Sequence, residues 1–201
     1  MGNKPNRKTT AKRGTLASSR PAPSPWGKRI GAGVGLLVVA GIVGVIAFSS
    51  EPARGVPDGT ETVAVDDPLH VEGELHEEGE VPAGGEHNPV WLNCGYYDTE
   101  VDSEFVVHSL EHGAVWITYN PNIAKDDIER LRGLVRRDRK IIVSPVANLE
   151  DSVLVTAWAN QLHLDSVDDA RIDQFVNEFA GSSNAPEPKG SCQGGAGNPA
   201  F

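Results

Sequence analysis

AVWITYNPNIAKDDIERLRGLVRRDRKIIVS, residues 114 to 144, begins and ends in short β-branched and aromatic runs and carries a helical pattern between them. Ala114–Tyr119 and Ile141–Ser144 have the residue types that suit a pleated, half-buried surface, so both are expected strands. Between them Asn122 is placed to cap a helix over Ile123 to Arg137, with Ile128, Leu131 and Val135 recurring on one face. Arg136, Arg137, Arg139 and Lys140 at its end suit the negative pole of the helix dipole and need no ligand to explain them. A strand–helix–strand unit of this kind favours a parallel pair joined by a right-handed crossover.

The flanking sequence extends the pattern. Val153–Trp158 (VLVTAW) is a third expected strand. Asp102 or Ser103 is placed to cap a short helix through EFVVHSLEH that stops at Gly113. Ser166 and Asp169 form an S-x-x-D capping box ahead of Ile172, Phe175, Val176 and Phe179, spaced i, i+3, i+4 and i+7. The fold class expected is α/β, with α+β as the alternative: a small two-layer α/β sandwich with a short mixed sheet, spanning residues 86–181.

Outside that domain the composition changes. Ile30–Phe48, IGAGVGLLVVAGIVGVIAF, carries no charge, and as a helix it would rise about 28 Å, close to the ~30 Å thickness of a bilayer core. Before it stand eight Lys and Arg and no acid; after it stand all 28 Asp and Glu with ten Lys and Arg, a split of +8 and −18. Basic residues stay cytoplasmic, so a single-pass signal anchor in the cell membrane is expected, N-terminus inside and the C-terminal domain extracytoplasmic. The apolar core is longer than that of a cleavable signal peptide.

Residues 1–29 read as a disordered basic cytoplasmic tail, drawn to anionic lipid headgroups of the bilayer rather than to nucleic acid. Residues 49–85 read as an acidic stalk in which His70 and His76 are solvated. Residues 182–201 read as a linker-like tail. The two cysteines, Cys94 and Cys192, both fall on the oxidising side of the expected membrane, which points to a disulfide tying that tail back to the domain; the alternative is two free thiols as soft metal ligands, although their spacing matches no standard ligand pair. In the chain-entropy picture, closing a loop of this length contributes up to about 4.7 kcal/mol.

Chemistry concentrates in His108-Ser109-Leu110-Glu111-His112-Gly113. At about 100° per residue, His108 and His112 project about 40° apart, with Glu111 about 60° from His108 on its other side. Val106, Val107 and Leu110 occupy a separate arc. Two imidazoles at i and i+4 can share a divalent metal, with the carboxylate as ligand, supporting partner or general base. His87, in the loop GGEHNPVW, would make a third imidazole ligand. A structural reading stands beside this one, since a histidine at a helix C-terminus also satisfies the last carbonyls. The same letters occur in the inverzincin peptidases, which need a further acidic ligand and a larger fold. No serine or cysteine nucleophile motif, phosphate-binding glycine loop or redox CxxC is present, and Met1 is the only methionine, which excludes a methionine-rich copper site.

Gly84-Gly85-Glu86-His87-Asn88-Pro89-Val90-Trp91, Asn93-Cys94-Gly95-Tyr96, Val107 to Val115, Tyr119, Thr156-Ala157-Trp158 and Pro186-Glu187-Pro188 with Cys192 together resemble the bacterial domain-of-unknown-function family 3105, over about residues 70 to 192. The resemblance implies an actinobacterial single-pass membrane protein with an extracytoplasmic domain, and it implies no activity. Ala159 and Asn160 depart from it, standing where a glycine is expected after the tryptophan. The family pattern includes His87, His108, Glu111 and His112.

Three functions stay open on the sequence. One is a membrane-anchored domain binding a transition metal, Zn²⁺ or Cu²⁺, through His87, His108 and His112 with Glu111 as ligand or support. Another is a non-enzymatic envelope module whose histidines are structural and whose acidic surface meets a protein partner. The third is a metal-dependent hydrolase with Glu111 as general base.

Overall fold

The computed structural model describes Gly2, residues 55–136 and residues 139–201. The apolar run Ile30–Phe48 lies outside these residues, and no helix among them is long and apolar enough to cross a membrane. The elements in chain order are β1 (Glu61–Thr62), β2 (Gly95–Tyr96), α1 (Ser103–Glu111), β3 (Val115–Tyr119), α2 (Lys125–Gly133), β4 (Ile141–Pro145), β5 (Val153–Ala157), β6 (Asn160–Leu164) and α3 (Arg171–Phe179).

The expected strand–helix–strand unit is present. β3 and β4 pair in parallel, Val115 opposite Ile141 and Tyr119 opposite Pro145, with α2 between them in sequence. The sheet has six strands rather than three, ordered β1-β6-β5-β3-β4-β2. It is mixed: β2 and β3 run parallel to β4, while β5 is antiparallel to β3 and to β6. β6 had not been expected, because its sequence NQLHL alternates polar and apolar residues too weakly to announce a strand.

Alternating residues of the central strands feed two cores, as a period of two requires. Val115, Ile117, Ile141, Val143 and Val155 meet Leu131 of α2 and Ile172, Phe175, Val176 and Phe179 of α3. Trp116 and Ile142 point the other way and meet Val106 and Leu110 of α1 with Leu92, Cys94 and Tyr97. Helices therefore cover both faces, and the expected two layers become three. Such double coverage explains why all five residues of β3, of β4 and of β5 are buried. The buried Trp116 indole N–H is satisfied by Ser144 Oγ at 2.9 Å.

Helix starts differ from expectation. Asn122 does not cap α2, which begins at Lys125, and its side chain stays exposed in a turn with Asn120. Ser166 and Asp169 form no capping box. Ser166 Oγ accepts the N–H of Asp168, and Asp169 accepts that of Arg171, in the turn that leads into α3. α2 ends at Gly133, so Arg136 and Lys140 lie beyond its last turn.

The segment expected to be a solvated stalk is joined to the domain from Gly55 onward. β1 pairs with β6, Gly55 N–H donates to Glu178, and the N–H groups of Leu75 and His76 donate to Glu104 Oε1 at 2.8 and 3.2 Å. Burial alone would raise the Glu104 pKa, but those two donors, its own backbone N–H and the neighbouring His76 together outweigh it and hold the carboxyl below its ordinary range. Cys94 and Cys192 are paired as a disulfide with Cα atoms 5.4 Å apart, fixing the C-terminal tail beside β2.

Candidate metal centre

α1 starts after the extended Asp102, whose side chain makes no capping hydrogen bond, contrary to expectation, and its end at Gly113 is the one expected. The Asp102 carbonyl accepts from Phe105 and Val106, Ser103 Oγ anchors the first turn to the Glu80 carbonyl, and Gly113 leaves the helix at φ 83°. That left-handed conformation is why a glycine stands there. The apolar arc of α1 faces the sheet, and the His–Glu arc is buried as well, under the segments around residues 70, 87 and 190. His108, Glu111 and His112 are each 4 % exposed and His87 is 0 % exposed.

The loop bearing His87 runs beside α1, with Asn88 N–H donating to Glu104 O and Leu92 N–H to Phe105 O. His70 arrives by pairing. It forms a parallel bridge opposite His87, closed by Val71 N–H to His87 O at 2.8 Å and His87 N–H to Leu69 O at 2.9 Å. His70, His87, His108 and Glu111 then offer four ligand atoms that all lie within 4.8 Å of one another. Glu111 Oε2 is 3.2 Å from His87 Nε2 and 3.5 Å from His70 Nε2. The His70 and His108 rings stack with centroids 4.8 Å apart.

The structure thus brings together His87, His108 and Glu111, as the sequence suggested, and adds His70. His112, expected as a ligand, falls at the margin. Its Nε2 is 3.1 Å from His108 Nε2, but it is not one of the four groups that converge. His76 is not freely solvated either: its side chain is 13 % exposed. His70 was missed because its acidic surroundings read as solvated chain, although Leu69 and Val71 flank it as short strand residues would.

Three of these imidazoles are oriented in one way. His87 Nδ1 donates to Gly85 O at 2.8 Å, His108 Nδ1 to Asn88 O at 2.8 Å, and His112 Nδ1 to Ser191 O at 2.7 Å. A carbonyl oxygen has no proton to give, so Nδ1 carries the proton in each ring and neutral imidazole presents a bare Nε2 lone pair. Those lone pairs face each other and a carboxylate. Adding a proton to His108 is opposed by its burial, and further by the neighbouring His112, His87 and His70, so its pKa lies below the ordinary histidine value.

Lys140 supports the same region. Its ammonium donates to His112 O, Pro188 O and Gly190 O at 2.6, 2.9 and 2.8 Å, closing the end of α1 against the C-terminal tail. Burial holds its pKa below the ordinary lysine value. It therefore serves α1 and the tail, and not the dipole of α2.

Residues 70–194 match the family described as "Protein of unknown function (DUF3105)", more than half of the chain, and the chain belongs to that family. The matched region begins at His70 and ends just past Cys192, enclosing the four converging groups and the disulfide. No curated protein and no solved structure matches the chain.

Proposed function

We propose that this family member binds a divalent transition metal ion, Zn²⁺ or Cu²⁺, through His70, His87, His108 and Glu111, on an extracytoplasmic domain anchored in the membrane by Ile30–Phe48. The observation that carries the metal reading is the orientation of the rings: backbone carbonyls accept from Nδ1 of His87 and His108, leaving Nε2 free to converge on a buried carboxylate. Metal-binding histidines have this arrangement, in which the second ring nitrogen is fixed by an acceptor that also raises ligand basicity. Without a cation, bare lone pairs and a carboxylate would share a buried site, an arrangement costly in a low-dielectric interior. A metal ion satisfies all of them at once.

The ligand set is imidazole and carboxylate, with both cysteines consumed by the disulfide, which suits Zn²⁺ or Cu²⁺ better than soft Cu⁺. Glu111 faces two imidazoles, which favours the role of ligand over that of general base. We assign the ion to metal handling or to stabilising the domain rather than to turnover. The anchoring is supported by the length and charge asymmetry of the apolar run.

Metal content of the full-length protein, purified in detergent without a metal-affinity tag, tests the reading. About one ion per chain is expected, and a His87→Ala, His108→Ala double variant should lose it while keeping the disulfide. Protein without stoichiometric metal, and without a thermal shift on adding zinc or copper, would return these histidines to a structural role.

A further inference from the structure

We infer that His112 and Glu187 form, together with His108, an outer position for the same cation, through which metal is loaded into and released from the inner group. The inference rests on the metal reading above. His112, the residue that caps the end of α1, is buried and is not used by the inner group, yet its orientation is fixed in the same way. Its Nδ1 is committed to Ser191 O, and its Nε2 faces His108 Nε2 at 3.1 Å and Glu187 Oε2 at 3.7 Å. At ordinary metal–ligand lengths of about 2.0–2.1 Å, donor atoms at those separations subtend roughly 100° and 125° at a shared ion, within the range that zinc sites adopt.

The surroundings of His112 are shaped to it. A Cβ added at Gly190 would lie 2.2 to 2.6 Å from its ring atoms, so the tail can rest on the imidazole only because that residue has no side chain. The Trp91 ring approaches with centroids 5.2 Å apart. Glu187 is held by its backbone, whose N–H donates to Glu111 O at 2.9 Å, while its side chain remains 60 % exposed. A hydrated ion can therefore reach the Glu187 carboxylate, whereas His87 and Glu111 are enclosed.

His108 belongs to both positions, and this makes transfer feasible. With His108 Nε2 kept as a ligand, the bonds to Glu187 and His112 break as those to His87 and Glu111 form. The exchange replaces one imidazole and one carboxylate by another of each, so the donor set keeps its composition and no electron has to move. His70, with a half-exposed side chain, completes the inner set from the solvent side.

The test uses full-length protein in detergent with Co²⁺ as the probe, its visible absorption reporting both occupancy and rate. Glu187→Gln and His112→Asn are expected to reach the wild-type endpoint spectrum, with loading and EDTA-driven release slowed at least about tenfold. Glu187 is exposed, so its variant keeps the test valid if His112→Asn fails to fold. Unchanged rates in Glu187→Gln would overturn the outer position. Loss of the endpoint spectrum in that variant would overturn it too, by making Glu187 a ligand of the final site. A wild-type protein that takes up no Co²⁺ would instead sink the metal reading on which the inference stands.

Discussion

His108 sits where burial and three neighbouring imidazoles all oppose a second proton, and this has a consequence for the metal-free protein. Its folded pKa lies below the ~6.5 of an unfolded histidine, so the unfolded chain binds more protons between those two values. Stability is therefore full above about pH 6.5 and is lost as pH falls toward the folded pKa. Urea unfolding of EDTA-treated protein should show a lower midpoint at pH 5 than at pH 7.5, with the difference reduced in His108→Asn. An equal decline in that variant would assign the effect to other groups. The same competition for Nε2 should weaken metal binding on acidification. At this scale the sequence showed His108, Glu111 and His87, since helical spacing and a Gly- and Pro-rich loop mark them without a structure. It did not show His70, because a bridge between residues 70 and 87 leaves no local periodicity and the acidic composition argues for solvent. The displacement of His112 to the margin depends on Ser191 and Gly190, far along the chain.

The apolar periodicity of α3 placed Ile172, Phe175, Val176 and Phe179 on the core face, where they are buried. Its start was misjudged because short polar side chains can satisfy a preceding turn as readily as a helix end. The β5–β6 hairpin shows another limit. Its two-residue connection, Trp158-Ala159, needs a left-handed conformation at the second position, and Ala159 adopts φ 57° there. Without glycine the turn signal was hidden, and the departure noted in the sequence is the place where the backbone carries strain. A residue other than glycine in this region costs about 1–2 kcal/mol, partly offset by the lower chain entropy of alanine. Ala159→Gly should thus stabilise the protein by up to about 1 kcal/mol, measurable as a higher urea midpoint at unchanged slope. A lower midpoint would mean that the Cβ contributes packing that outweighs the strain.

For the molecule as a whole, the charge split about Ile30–Phe48 gives a topological expectation: protease added to intact cells should remove the domain and leave the basic tail protected. Recovery of residues 50 to 201 from the cytosol would overturn it. The three-layer architecture was only half visible beforehand, since the fully buried strands that require cover on both faces look the same in sequence as strands covered on one. The borders of the sheet lead further. On one side β1 covers only Asn160 and Gln161 of β6; on the other, Tyr96 of β2 is itself flanked by the tail, accepting from Ala200 N–H at 2.7 Å and donating to Phe201 O at 3.0 Å. Bare strand edges are templates for joining another chain, and here short finishing stretches occupy them. Removing the tail would uncover the backbone groups of Tyr96 that it now engages. Protein lacking residues 197–201 is therefore expected to self-associate more than the intact chain, which light scattering of the two at equal concentration would check; equal scattering would overturn this.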